Sequence, residues 1–372
     1  MKDNPLKKVG TLGQSIWLDY IRRDLIVSGK LKHLIEEDGL RGMTSNPSIF
    51  EKAIADSHDY DKDIQGKVLE GKSIKSIYES ISQQDVQSAA DQFRPLYDKT
   101  EGKDGYVSLE VNPHLAHDTK GTIEEARRLW SALKRPNVLI KVPATEEGLP
   151  VIQQLISEGI NVNVTLLFGI PRYRHVVEAY LKGFEARMIQ EKPVKMAGSV
   201  ASFFLSRIDV LVDPLLEKFI VKGGKEAELA KMLHGQIAIA SAKVAYQVYK
   251  QIFNSVRFKK LADKGAFTQR LLRASTSTKN PAYSDVKYID SLIGKDTVNT
   301  VPLETLDDYR DHGKPKNRIE EEVVKAQWML DQLPELGINI DNLTQQLENE
   351  GVEKFSISFD KLMDALEKAV KK

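Results

Sequence analysis

Val138-Leu139-Ile140-Lys141-Val142 is a short apolar run interrupted by one lysine, and it is followed by Pro143-Ala144-Thr145. Leu149–Glu158 then carries apolar residues at helical spacing, Gly159 stands where a helix end needs a residue tolerant of positive φ, and a second apolar run spans Ile160–Leu166. The stretch reads as strand, turn, amphipathic helix, strand. Runs apolar on both faces belong to strands buried on both sides, and a helical return between two such strands makes them parallel.

The same texture extends in both directions. Further strand candidates are Ser15–Asp19, Leu40–Thr44, Val107–Val111, Val194–Ala201, Leu271–Ser275 and Val298–Val301. Helical patterns lie between them at Asp24–Glu37, Thr122–Lys134, Arg172–Gln190 and Glu226–Phe258. Asn46-Pro47, Gly169-Ile170-Pro171 and Val301-Pro302 each place a proline near a helix start. Eight strands alternating with helices predict an α/β fold, a closed (β/α)8 TIM barrel. A doubly wound open sheet would carry a glycine-rich turn after its first strand, whereas here Asp19 is followed by Tyr20-Ile21-Arg22-Arg23. The long gaps Ser45–Tyr106 and Ser202–Arg270 are expected to hold extra helices, and a helical C-terminal extension is expected from about residue 303. No linker interrupts residues 1–372, so one domain is expected.

Composition narrows the class. The chain has 372 residues, 54 basic against 53 acidic, and no cysteine. Balanced charge offers no field for nucleic acid or an anionic membrane surface, and thiolate nucleophiles, disulfides and zinc–cysteine sites are excluded. The longest uncharged run, Gly159–Pro171, falls short of the roughly 18 residues a membrane span needs. The opening MKDNPLKK lacks the apolar core of a secretory leader, so a soluble, cytoplasmic protein is expected.

Two motif matches lack their mechanism. Gly66–Ser73 fits the phosphate-loop pattern, but the polar His58–Gln65 before it forms no buried strand to aim backbone amides at phosphates. His114 and His117, near Glu110, lack the i, i+4 helical spacing of a metal pair, and Pro113 breaks the local helix. Both read as solvated or capping histidines, and no metal is expected.

A barrel of this kind places reactive groups at the C-terminal ends of its strands. The polar residues there are Asp19, Thr44 with Asn46, Glu110 with Asn112, Lys141, Asn163 with Thr165, Ser199 with Ser202, and Ser275. Lys141 is the most unusual, flanked by apolar residues on both sides. Burial disfavours the ammonium and favours the free amine that a Schiff-base nucleophile needs; the competing reading is a lysine that snorkels to the rim.

Thr44-Ser45-Asn46-Pro47-Ser48, Ser108-Leu109-Glu110-Val111, Leu139–Thr145, Ile160–Phe168 and Ala201–Arg207 together resemble, in order and strand position, the motifs of the transaldolase family. The resemblance covers roughly Leu12 to Asp308. It implies that Lys141 forms a Schiff base with a ketose phosphate and that Asp19 is the acid/base for the donor C4 hydroxyl. It further implies that Glu110 and Thr165 hold a catalytic water, and that Asn46 and Asn163 bind the dihydroxyacetone unit. Ser202 and Arg207 fall at the phosphate site, while Thr44, Phe204 and Ser275 complete the expected substrate-binding set. The implied reaction moves dihydroxyacetone from sedoheptulose 7-phosphate to glyceraldehyde 3-phosphate in the pentose phosphate pathway. The Schiff base supplies the electron sink, so no cofactor is expected. The implied partners are phosphorylated ketoses and aldoses, and a homodimer is compatible with the family.

One block departs from the better-known members. Ser277 stands in Ala274–Pro281 where a second phosphate-binding arginine would be, which resembles a bacterial branch with a Thr278-Lys279-Asn280-Pro281 segment. Lys279 is then the expected replacement cation. The rival reaction is that of a related aldolase, which releases free dihydroxyacetone. Those relatives tend to carry Gln at the position of Glu110 and Tyr near that of Phe204, so both residues favour transfer. A non-catalytic sugar-phosphate-binding barrel is the third reading, and it gives no reason to bring Asp19, Glu110 and Lys141 together.

Overall fold

The strand–helix–strand unit around Lys141 is one of eight in the computed structural model, which describes residues 4–195 and 197–371. The strands are β1 (Gln14–Asp19), β2 (Gly42–Thr44), β3 (Tyr106–Glu110), β4 (Val138–Pro143), β5 (Val162–Leu167), β6 (Ser199–Phe204), β7 (Arg270–Ala274) and β8 (Thr297–Val301). Each pairs in parallel with its sequence neighbour, and β1 closes the ring on β8, with Gln14 opposite Thr297 and Leu18 opposite Val301. The expected (β/α)8 barrel is the fold.

Alternation along the strands sends one set of side chains into the barrel and the other toward the helices. Inside, Trp17, Tyr106, Leu139, Val200, Leu272 and Val298 pack as one cluster. Gly42 makes room for the indole, since a Cβ there would stand 2.5 Å from the Trp17 ring. Near the N-terminal strand ends, Arg270 is buried against Asp104 at 2.8 Å and Ser15 at 2.9 Å. The larger cavity, about 670 Å³, lies at the opposite end of the barrel, beyond this apolar plug.

Several boundaries differ from the sequence reading. The sixth strand was expected at Val194–Ala201; it runs from Ser199 to Phe204, and Met196 lies outside the described residues. Gly198 sits where a Cβ would meet the Tyr106 hydroxyl at 2.4 Å, and its N–H donates to the Asn161 side chain at 2.7 Å, so the ladder begins only after it. Asp24–Glu37 is two helices, Arg23–Val27 and Lys30–Glu37, separated at Gly29 with φ +83°. Glu226–Phe258 divides into Lys225–Leu233, Ile237–Phe253 and Val256–Ala262; Gly235, with φ +69°, makes the first break, and Ser255 caps the third helix. Gly66–Ser73 is the end of the helix Asp61–Leu69 and the turn after it, with Ser73 capping Ile74–Lys99. His114 and His117 face separate carboxylates, Asp360 at 2.8 Å and Glu147 at 3.0 Å.

Beyond β8 the chain forms the helices Leu303–His312, Val323–Gln332 and Ile340–Val370. The stretch between the first two is not helical; Arg318 and Ile319 donate their N–H groups to the Ile293 carbonyl. The last helix lies across the open mouth of the barrel. Its buried Glu348 accepts from Arg172 at 3.0 Å, and Phe359 meets Tyr78 edge-on at 5.7 Å between centroids. Gly351 lets it approach closely, since a Cβ there would lie 3.0 Å from Leu166.

Candidate active site

The register of neighbouring strands brings the polar strand ends together. Glu110 on β3 lies opposite Lys141 on β4, which in turn lies opposite Asn163 on β5. Lys141 is 5% exposed. Its Nζ donates to Glu110 Oε2 at 3.0 Å and to the Ser45 carbonyl at 2.9 Å. Above it, the Phe355 ring of the C-terminal helix stands with its centroid 5.7 Å from Nζ. The amine does not snorkel to the rim. Burial raises the Glu110 carboxyl above the ordinary range, against the opposing pull of Lys141.

Asp19 ends β1 and accepts a 2.6 Å hydrogen bond from Thr44, whose hydroxyl also meets that of Thr300 at 2.8 Å. Burial raises its carboxyl, and the Thr44 hydroxyl and the charges of Lys141 and Lys279 oppose that shift. A carboxyl so placed is poised to exchange a proton nearer neutrality than a solvated aspartate.

Asn163 is fully buried and bridges two strands: its amide donates to Ser108 Oγ at 3.0 Å, and Ser202 Oγ donates to its Oδ1 at 2.6 Å. It therefore lies beneath the cavity floor that Ser202 lines. Thr165 is buried with its hydroxyl unpartnered by protein among the described residues. Just beyond it the β5–β6 register shifts, and Leu166 adopts φ +57°, a costly conformation for a residue with a Cβ. That irregularity turns both Thr165 and Leu166 toward the cavity.

The cavity encloses about 670 Å³ and contains Asp19, Thr44, Asn46, Lys141, Thr165 and Phe204 in its lining. Asn46 also caps the helix Pro47–Ala55, accepting from the Ile49 N–H at 3.1 Å. One side is cationic, with Arg207, Lys279 and Lys52. Lys279 Nζ donates to Ser277 Oγ at 2.6 Å; burial first, and then the Arg207 charge, lower its ammonium below the ordinary lysine range. Ser275, also at positive φ, meets Ser206 through their hydroxyls at 2.8 Å. Such a wall suits a phosphate, and the opposite end, with its amine and carboxyls, suits proton transfer at a carbonyl.

Of the twelve expected residues, all but Glu110 and Asn163 line this cavity. Those two support it from behind, Glu110 through Lys141 and Asn163 through Ser202. Reading the strand ends missed the Ser45 carbonyl, Lys52 and Phe355. Lys52 looks like any surface lysine of an amphipathic helix, and nothing local to Phe355 signals that its helix crosses the barrel mouth.

The expected family agrees with comparisons to known proteins. Residues 16–366 match the family described as Transaldolase/Fructose-6-phosphate aldolase. The chain is 49% identical to "Transaldolase" of Trichodesmium erythraeum (strain IMS101) over 376 residues, covering 100% of this chain and 99% of the relative. It is 48% identical to "Transaldolase 2" of Nostoc sp. (strain PCC 7120 / SAG 25.82 / UTEX 2576), with 100% and 99% covered. It is 44% identical to "Transaldolase" of Thiobacillus denitrificans (strain ATCC 25259 / T1), with 97% and 99% covered. Identity at this level along the whole length, on a closed eight-stranded barrel, makes the chain a member of the transaldolase/fructose-6-phosphate aldolase family.

Proposed function

We propose that the chain is a transaldolase, moving a dihydroxyacetone unit from sedoheptulose 7-phosphate to glyceraldehyde 3-phosphate and giving erythrose 4-phosphate and fructose 6-phosphate. The observation that carries the reading is the buried amine of Lys141, held 3.0 Å from Glu110 and facing a cavity with a cationic far wall.

In this reading Lys141 attacks the ketose C2 carbonyl. Glu110 and Thr165 relay protons, through a water, as the carbinolamine loses its hydroxyl and the protonated Schiff base forms. Asp19 accepts the C4 hydroxyl proton; the C3–C4 bond breaks, the aldose phosphate leaves, and the electron pair is held as an enamine on Lys141. The acceptor aldehyde then takes the new bond at its carbonyl carbon, Asp19 returns the proton to the new hydroxyl, and water hydrolyses the imine. The Schiff base is itself the electron sink, so the cycle calls for no cofactor. Asn46 and Asn163 orient the triose, Thr44 orients Asp19, and Arg207 and Ser202 with Lys279 and Ser275 take the phosphate.

Glu110 and Phe204 support transfer over release of free dihydroxyacetone, since an aromatic ring without a hydroxyl has no proton to give the carbanion. We read residues 1–372 as one domain acting in the cytoplasm on phosphosugars; among the described residues no helix is long and apolar enough to cross a membrane. A coupled assay with fructose 6-phosphate, with and without erythrose 4-phosphate, tests the reading. Transfer requires the acceptor. Cleavage at equal rate without it would identify an aldolase, and no reaction in either case would leave only a binding protein.

A further inference from the structure

The helix Ser206–Lys222 begins directly after β6 and carries Arg207 in its first turn. In the same turn and one turn further on, Asp209 and Asp213 are 2% and 5% exposed. Like charges four residues apart on one helix face oppose each other, so their burial needs partners. Each carboxylate divides its two oxygens in the same way. Asp213 Oδ1 accepts from the Gly235 N–H at 2.8 Å, and Asp209 Oδ1 from the Ala238 N–H at 2.8 Å. The second oxygens reach a different segment: Tyr283 donates to Asp213 Oδ2 at 2.6 Å, while Lys287 and Tyr288 donate to Asp209 Oδ2 at 2.9 and 2.7 Å.

That segment runs from the end of β7 into the helix Lys287–Asp290 and carries Ser277 and Lys279. At its start, the Ser206 N–H donates to the Ser275 carbonyl at 3.0 Å, and at its end the Tyr283 and Lys287 bonds close it onto the same helix. Lys279 lies on the arc between these anchors, and among the described residues Ser277 alone is its side-chain hydrogen-bond partner. The far anchor is built around the Tyr283 ring. Lys287 Nζ stands 3.7 Å over its centroid, and His234 Nδ1 lies 3.1 Å from its hydroxyl while His234 Nε2 meets Glu217 at 3.1 Å. Gly235, at φ +69°, leaves room for that hydroxyl, since a Cβ would stand 2.7 Å from it.

We infer that Tyr283 and Asp213 are positioning residues for phosphate recognition: their hydrogen bond pins the arc so that Lys279 faces Arg207 across the cavity. The inference rests on the reading of Arg207 and Lys279 as the phosphate site. It assigns a function to a buried network that touches neither substrate nor Lys141. The effect is confined to the phosphate end, because the triose end is built on β1 to β5, which this network does not contact.

The test uses the full-length protein and Tyr283→Phe, which removes the hydroxyl and keeps the ring under Lys287. KM for fructose 6-phosphate should rise about fivefold, the scale of one net hydrogen bond, with kcat changed by less than about twofold. KM for unphosphorylated fructose should not move. Asp213→Asn should reproduce the pattern, and the double variant should be no worse than the poorer single, as for two ends of one bond. Binding of inorganic phosphate to the free protein, followed by calorimetry, should weaken by the same factor. Phosphate binding unchanged in both variants, or KM shifted equally for both sugars, overturns the inference. Absence of transfer by the unsubstituted protein would sink the transaldolase reading instead, and the phosphate titration would still decide the role of Tyr283.

Discussion

The ring of Phe355, on the C-terminal helix, lies with its centroid 5.7 Å from the Nζ of Lys141 on β4. This contact makes the extension part of the cavity wall. Phe355→Ala should lower kcat/KM by roughly tenfold, since an amine–ring contact and the water it excludes together contribute about 1–2 kcal/mol. Borohydride trapping of the triose adduct should fall in parallel. An unchanged kcat/KM would reduce Phe355 to packing.

Lys141→Arg should abolish both turnover and borohydride trapping with fructose 6-phosphate, because a guanidinium stays protonated and cannot attack a carbonyl. Circular dichroism should show the fold retained, as the side chain borders a cavity into which the longer guanidinium can extend. In the unsubstituted protein the label should appear on one peptide containing Lys141; a label on another lysine would refute the mechanism.

Asp19→Ala should slow turnover by about 10²- to 10⁴-fold, the usual contribution of a general acid–base, while the trapped adduct still forms. The carboxyl also has a stability signature. Its affinity for a proton is raised in the folded protein, so the stabilisation is complete in acid, below the ordinary aspartate range, and is lost as pH rises through the raised value. Asp19→Asn should therefore melt about 1–2 °C higher than the parent at pH 7.5, and this gain should vanish toward pH 4. A gain that grows in acid would contradict the assignment.

Glu110→Gln with Phe204→Tyr should raise acceptor-independent release of dihydroxyacetone. Phe204 lines the cavity and its ring centroid lies 5.1 Å from that of Phe168, so a phenol there can deliver a proton to the carbanion. No gain over the parent would leave Phe204 a packing residue.

Arg207→Ala should raise KM for phosphorylated donors by at least about tenfold, since a bidentate charged contact is lost. Lys279→Ala should do so more weakly, a point charge being easier for water to replace. KM values for both phosphosugars unaffected by Lys279→Ala would remove that lysine from the clamp.

The strand ends were legible because the rule behind them is local. A run such as Val138–Val142 is apolar on both faces wherever it occurs, so its one lysine stands out, as does Asp19 at the end of Gln14–Asp19. Breaks at Gly29 and Gly235 could be suspected from the residue type but not decided, because glycine is also tolerated within helices. The start of β6 was not legible at all. It depends on Gly198 fitting against Tyr106, a contact between distant parts of the chain.

The sequence by itself determined the eight βα units, the order of the polar strand ends and the unusual setting of Lys141 within an apolar strand, since hydrophobic period and turn chemistry are properties of neighbours along the chain. Tertiary structure decided which of those groups face the cavity and which stand behind it, Asn163 and Glu110 being held back by Ser202 and Lys141. It also decided that the amphipathic helix Ile340–Val370 roofs the site instead of packing on the outer ring. An apolar face records only that a helix is covered; what covers it is set by long-range fit, here Gly351 on Leu166 and Glu348 under Arg172.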